Sequence, residues 1–121
     1  MKITRFEDIE GWKASRQLAK AVSQVTRNRK RPWDPFLVRQ IRKCPCSMMA
    51  NIAEGFDAGT DGEFVRFLRI SYRSGSELQS HLYLALDELY VDQLEFDRLY
   101  GQAREAKAMI GGFMRYLKRS R

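Results

Sequence analysis

The chain contains 121 residues, with 22 lysines and arginines against 15 aspartates and glutamates, so its formal net charge is +7. An apolar content of 44% over this length is enough for one hydrophobic core, which excludes a disordered chain and a disulfide-stabilised mini-protein. No apolar run reaches the roughly 18 residues that a membrane span needs, and residues 1–6 lead into charged sequence instead of a signal peptide. We therefore expect a single cytoplasmic domain over residues 1–121 without a membrane partner.

Hydrophobic periodicity predicts four helices, because the apolar residues repeat at spacings of three and four. Proline, glycine or a capping residue separates one apolar stripe from the next. The predicted elements are a lead segment over residues 1–11 and helices over about 12–27, 34–55, 61–90 and 93–118. Four amphipathic helices with short connections favour an all-α fold, an antiparallel up-down four-helix bundle.

The second predicted helix carries a proline in its interior. Asp34 followed by Pro35 is typical of an N-cap with proline at the first helical position, and the apolar pattern continues to about Gly55. Pro45 removes the hydrogen bond to the Ile41 carbonyl, and its ring clashes with that carbonyl. We therefore expect this helix to be kinked, or broken into two shorter helices, near Pro45.

The third and fourth predicted helices begin with capping patterns. Thr60 and Glu63 have the spacing of a capping box, and a similar pattern starts at Asp92. Gly111 and Gly112 lie inside the fourth helix, where each costs roughly 1 kcal/mol relative to alanine. We expect a close helix contact or a local bend at this pair of glycines.

Positive charge is concentrated in the first half of the chain. Residues 1–60 carry 12 basic and 6 acidic side chains, whereas residues 61–121 carry 10 and 9. We call the following seven residues the basic cluster: Arg27, Arg29, Lys30, Arg31, Arg39, Arg42 and Lys43. This cluster predicts contact with the phosphates of RNA or DNA, because phosphate contacts release counterions. The alternative is a cationic face that only keeps the bundle soluble.

A second basic stripe follows on the third predicted helix. It consists of Arg66, Arg69 and Arg73, at the spacing of one helix face. Neighbouring acids such as Glu63 and Glu77 reduce its charge, so a solvated surface is the competing interpretation. Neither basic group is accompanied by a sequence-reading module, so we expect any binding to be led by shape and charge.

Four polar residues interrupt otherwise apolar helical stretches. They are Asn51, Glu54, Ser74 and Glu77. The spacing of three within each pair predicts a hydrogen-bond network between the second and third helices, which fixes helix register or a subunit contact. The alternative, a catalytic pair of carboxylates, needs a cleft that nothing in the sequence locates.

The sequence predicts no metal site, no cofactor and no enzyme. Di-iron bundles repeat Glu-x-x-His, but His81 is the only histidine and Glu77 precedes it by four residues. Cys44 and Cys46 flank one proline, which is neither the spacing of a thioredoxin-like site nor a sufficient ligand set for zinc. We interpret both cysteines as small buried residues. No phosphate loop and no nucleophile–histidine pattern is present.

The segment Asn51-Ile52-Ala53-Glu54-Gly55 resembles a central pattern of the 23S rRNA intervening sequence proteins. The resemblance covers nearly the whole chain, and further matching positions are Phe6, Ile9, Trp12, Ser15, Ser47, Glu63, Phe64, Phe67, Leu68, Ile70, Ser74, Glu77 and Leu78. The sequence departs from the family pattern at Lys43, Pro45, Met49 and Arg73. The combined spacing is more specific than any one segment.

The resemblance implies a four-helix bundle that often assembles as a ring of five and has no catalytic activity established for the family as a class. Related accessory proteins of diversity-generating retroelements associate with nucleic acid and a reverse transcriptase. The chain has more methionine and aromatic residues than the seam of one bundle needs. Because such residues are common at interfaces, they also favour self-association. We expect a non-enzymatic homopentamer that binds RNA or DNA through the basic cluster. The alternative is a structural scaffold or adaptor for a protein partner, without a nucleic-acid role.

Overall fold

The computed structural model describes residues 3–27 and 32–119. A 3-10 turn over Phe6–Asp8 precedes four helices: α1 over Glu10–Thr26, α2 over Pro35–Phe56, α3 over Asp61–Asp87 and α4 over Gln93–Arg119. Each helix packs against its neighbours in the chain, and α1 also packs against α4, which closes an antiparallel four-helix bundle. Within the described ranges there is no strand, and none of the helices combines the length and apolar character that spanning a membrane requires.

One apolar core fills the space between the four helices. Every helix contributes to its fully buried side chains, which include Leu18, Ile41, Met48, Ile52, Leu68, Leu78, Leu82, Leu99 and Ile110. Burying an aliphatic side chain of this size contributes about 1.5–3 kcal/mol relative to leaving it exposed. The hydrophobic stripes of the sequence therefore drive the assembly of the bundle.

The helix α2 is continuous through Pro45, so the predicted break into two helices does not occur. It begins as expected, because the Asp34 carboxylate accepts a hydrogen bond of 3.0 Å from the Phe36 amide. Ile41 and Met48, on either side of the proline, are both buried in the core. Tertiary packing on both sides holds the helix together across the hydrogen bond that Pro45 removes.

Side-chain caps define where α3 and α4 begin. The Thr60 hydroxyl accepts a hydrogen bond of 3.2 Å from the Glu63 amide. The Asp92 carboxylate accepts one of 2.8 Å from the Glu95 amide, and the Glu95 carboxylate accepts one of 3.2 Å from the Asp92 amide. These bonds satisfy amides that would otherwise have no partner inside the helix.

The helix α3 ends at Asp87 instead of at residue 90. Leu89 adopts the left-handed conformation with φ of 62°. The Tyr90 amide donates to the Ala85 carbonyl at 2.9 Å, and the Leu89 amide donates to the Leu86 carbonyl at 3.0 Å. This pair of bonds is a Schellman ending, which usually requires glycine at the left-handed position. A leucine there provides no sequence signal for the end of the helix.

Glycine allows a close approach of α2 and α3 at Gly55. A Cβ atom at this position would lie 2.8 Å from side-chain atoms of both Phe64 and Phe67. At Gly111 and Gly112, a Cβ atom would meet nothing nearer than 3.6 Å among the described residues. Close helix contacts therefore lie at Gly55 and also at Gly75, where a Cβ atom would lie 2.6 Å from the Lys107 Cγ atom, whereas the predicted close contact at the pair of glycines in α4 is not found.

Replacing Gly55 with alanine should lower the free energy of unfolding by up to about 2 kcal/mol. Overpacking a core typically costs about 1–3 kcal/mol, which outweighs the roughly 1 kcal/mol that alanine gains in helix propensity. The matched control is Gly101→Ala in α4, where a Cβ atom meets nothing within 4 Å. That variant should be more stable than the original protein by up to about 1 kcal/mol. Urea denaturation measures both, and equal stabilisation by the two variants would contradict the close approach.

Candidate functional site

The described members of the basic cluster lie where α1 ends and α2 begins. Arg27 is the C-cap of α1, and Arg39, Arg42 and Lys43 belong to α2. The other three members, Arg29, Lys30 and Arg31, lie outside the described residues. Arg27, Arg39 and Arg42 line one groove of about 810 Å³ between the two helices. The fold therefore brings cations from two helices to the same concave surface.

Arg42 is held in a defined orientation within this groove. Its Nε atom donates a hydrogen bond of 2.7 Å to the hydroxyl of Thr26, and this hydroxyl donates one of 2.8 Å to the Val22 carbonyl. Thr26 is itself buried. The two terminal nitrogens of Arg42 make no hydrogen bond to any of the described residues, so they remain available to an anion.

Two aromatic rings support the wall of the groove. Trp33 lines the groove and is buried, and its ring stacks on that of Tyr90 with a centroid distance of 4.9 Å. The Asp34 amide donates a hydrogen bond of 3.1 Å to the Tyr90 hydroxyl. These contacts join the start of α2 to the connection between α3 and α4, so the groove rests on the bundle and not on an isolated loop.

The charge of the basic cluster is not neutralised by nearby acids. Among the described residues, no carboxylate lies within 4.0 Å of Arg27, Arg39, Arg42 or Lys43. The one acid in this segment, Asp34, caps α2. Unpaired cations at a concave surface produce a positive potential that attracts polyanions.

The three arginines of the second basic stripe have different surroundings. Arg66 forms an ion pair of 3.1 Å with Glu63, and its guanidinium lies over the Phe67 ring. Arg69 and Arg73 are both exposed, and only Arg69 of the two lines a groove with residues of α4. Arg69 shares a groove of about 340 Å³ with Tyr72, Gly111, Met114, Arg115 and Lys118. The sequence did not predict that Arg115 and Lys118 lie beside Arg69, because only the packing of α4 brings them next to α3.

A polar seam joins α2 to α3, and we define it as Ser47, Asn51, Ser71 and Ser74. The hydroxyls of Ser47 and Ser74 share a hydrogen bond of 2.8 Å. The Asn51 side chain donates to the Ser47 carbonyl at 2.8 Å and to the Ser47 hydroxyl at 3.1 Å. The buried Ser71 hydroxyl donates to the Met48 carbonyl at 2.9 Å. Ser47 thus connects Asn51 and Ser74, two residues that the sequence predicts to belong to one network.

The other two members of the predicted network lie elsewhere. Glu54 is exposed, and its carboxylate makes no hydrogen bond within the described part of the chain. Glu77 lies beside His81, with 3.3 Å between a carboxylate oxygen and the ring Nε2. Ser47 and Ser71 were not predicted as members of the network. The only sequence signal for either residue is a serine at a helical position that faces the core.

The two cysteines differ in their environments. Cys46 is exposed, which corrects the expectation that both are buried, whereas Cys44 is buried. The Cys44 thiol donates a hydrogen bond of 3.3 Å to the Gln40 carbonyl. Burial, together with the nearby negative charge of Glu77, raises the pKa of Cys44 to about 12. In the absence of a bound cation, Cys44 is therefore a neutral thiol at physiological pH.

The family model described as 23S rRNA-intervening sequence protein matches residues 7–112. The chain belongs to this family. A crystal structure of a protein of unknown function from the S23 ribosomal protein family of Bacteroides thetaiotaomicron has a similar fold. The TM-score is 0.76 at 18% sequence identity, over 86% of this chain and 97% of that chain. This likeness concerns the fold alone. A comparison with curated proteins gave no match.

The family match contains both the basic cluster and the polar seam, because each lies within residues 7–112. Arg115 and Lys118 of the groove between α3 and α4 lie beyond the matched residues. The groove between α1 and α2 therefore lies within the part of the chain that the family model matches.

The single variants Ser47→Ala and Ser74→Ala should each lower the free energy of unfolding by about 1–2 kcal/mol. In each variant, the partly buried hydroxyl that remains has lost its partner. The double variant should lose less than the sum of the two, since it leaves neither hydroxyl of the pair unsatisfied. Ser76→Ala, at an exposed position of α3, is the control and should change stability by less than about 0.5 kcal/mol. Additive losses in thermal denaturation would show that the two serines do not interact.

Proposed function

We propose that this protein is a non-enzymatic, self-associating helical bundle that binds the phosphate backbone of RNA or DNA through the basic cluster. The observation that supports this most directly is the convergence of Arg27, Arg39 and Arg42 on one groove, where no carboxylate of the described residues lies within 4.0 Å of them. Each phosphate contact releases condensed counterions, which is the main source of affinity for a protein of this kind.

The arrangement suits backbone contacts better than base readout. Arg42 is oriented by Thr26 and presents its terminal nitrogens to an anion, as phosphate recognition by arginine requires. Contacts of this type position a nucleic acid but carry no sequence information. We therefore infer that shape and charge of the nucleic acid determine binding, with structured RNA as the first ligand to test.

Changing Arg39, Arg42 and Lys43 together to glutamine should weaken binding of a labelled structured RNA and make it less salt-dependent. Removing three cations should reduce the slope of log K against log salt by about 2–3, because each phosphate contact contributes roughly 0.7–0.9. The matched control changes Arg66, Arg69 and Arg73 to glutamine, which removes the same charge from α3. Fluorescence anisotropy over a salt series measures both variants.

Two results would count against nucleic-acid binding at the basic cluster. The first is no binding by the original protein at roughly 50 mM salt, where nonspecific electrostatic contacts are strong. The second is an equal loss of affinity in the two triple variants, which would assign the effect to net charge alone. Circular dichroism of each variant separates loss of contact from loss of fold.

Exposed apolar side chains support the self-associating part of the proposal. Phe36 on α2 is 60% exposed and Leu84 on α3 is 52% exposed, and both line a groove of about 290 Å³. Apolar side chains that share a groove favour burial against another surface. We infer that a second copy of this chain covers the Phe36–Leu84 groove. A ring of five is the assembly that the family resemblance implies.

Changing Phe36 and Leu84 together to glutamate should convert the assembly to a 14.2 kDa monomer. Burying two carboxylates in an apolar contact costs more free energy than the contact supplies. Leu94→Glu is the control, because Leu94 is 79% exposed and does not line this groove. Sedimentation equilibrium gives the masses, and a monomeric original protein at micromolar concentration would refute self-association.

A scaffold for a different protein is the second candidate function. The Phe36–Leu84 groove favours it as well, because the same apolar surface suits a partner helix. The two experiments distinguish the candidates. A monomer without salt-dependent RNA affinity supports the scaffold, whereas salt-dependent affinity that depends on Arg39, Arg42 and Lys43 supports the nucleic-acid proposal.

A further inference from the structure

Three potential metal ligands meet where α2 packs against α3. The Cys44 sulfur, a Glu77 carboxylate oxygen and a ring nitrogen of His81 all lie within 4.8 Å of one another. Glu77 and His81 are four residues apart on α3, so they share one helix face, and packing places Cys44 of α2 beside them. We call these residues the Cys-Glu-His cluster.

We propose that the Cys-Glu-His cluster binds a zinc ion through the Cys44 thiolate, the His81 imidazole and the Glu77 carboxylate, with water as the fourth ligand. Sulfur, nitrogen and oxygen donors in this combination suit zinc, which accepts all three and prefers four ligands. The proposal does not depend on nucleic-acid binding or on self-association. The zinc site was not expected from the sequence, which predicts no metal site because the chain has one histidine.

The observed distances are close to those that zinc requires. Zinc binds imidazole nitrogen and carboxylate oxygen at about 2.0–2.2 Å, so two such ligands in a tetrahedral site lie about 3.4 Å apart. The His81 Nε2 and Glu77 Oε2 atoms are 3.3 Å apart. A thiolate ligand should lie about 3.5 Å from the other two donors. The Cys44 sulfur lies within 4.8 Å of both of these atoms, so a movement of the sulfur toward them completes the site.

The site has a buried side and an open side. Cys44 is buried against the core, while the Glu77 side chain is about half exposed and His81 is 21% exposed. The half-exposed carboxylate of Glu77 forms the open side, by which the ion reaches the site. A fourth position that faces solvent suits a water ligand.

Zinc binding at this cluster would exchange a proton for the metal. The Cys44 thiol loses its hydrogen bond to the Gln40 carbonyl, its proton goes to solvent, and a zinc–sulfur bond forms. The thiolate and the Glu77 carboxylate together carry two negative charges, which balance the charge of Zn²⁺. No oxidation or reduction is involved.

Cobalt substitution tests the proposal in the full chain, prepared without a histidine tag and treated with a chelator. Adding Co²⁺ should produce a thiolate-to-cobalt charge-transfer band and the visible bands of tetrahedral cobalt, at one ion per chain. Adding Zn²⁺ should abolish both. In calorimetry, Glu77→Gln and His81→Gln should each weaken zinc binding by at least about tenfold, since even residues behind the ligands are worth 10–100-fold.

Cys44→Ala should abolish the charge-transfer band, whereas the control Cys46→Ser, which changes the exposed cysteine, should retain it. Glu77→Gln and His81→Gln leave the buried core intact, so they keep the test valid if Cys44→Ala does not fold. At the same zinc concentration, the melting temperature of the original protein should rise by more than that of His81→Gln. A missing charge-transfer band, a band that survives Cys44→Ala, or unchanged affinity in His81→Gln would overturn the proposal.

Discussion

The close packing of α2 against α3 is the constraint on which the candidate sites depend. Gly55 lets the two helices approach, and the hydrogen bond between Ser47 and Ser74 fixes their register. A helix rotates by about 100° per residue, so a shift of one residue would turn different side chains toward the partner helix. In the observed register, Cys44 lies beside Glu77 and His81, and Arg39 and Arg42 line the groove between α1 and α2.

The groove between α1 and α2 depends on a second set of contacts. Arg42 joins α2 to the end of α1 through Thr26, while Trp33 and Tyr90 hold the start of α2 against the opposite connection. Like charges that lack acid partners repel one another and lower the stability of the folded state. A bound polyanion would relieve this repulsion, which gives a physical reason to associate the groove with binding.

Much of the fold follows from local patterns. The apolar periodicity indicates four helices, and Asp34, Thr60 and Asp92 form the caps that their spacing predicts. Two features have no local signal. The α2 helix continues through Pro45 because buried side chains on both sides hold it, and α3 ends where Leu89 adopts a conformation that glycine normally occupies.

Local sequence patterns are sufficient to predict the helical periodicity, the family and the concentration of positive charge before residue 60. Helix packing, in contrast, is what places Ser47 between Asn51 and Ser74, and Cys44 beside Glu77 and His81. The physical reason is that periodicity states which face of a helix is apolar but not which residues of two helices meet. Hydrogen bonds and metal ligation act over a few ångströms, so packing and register decide which residues take part.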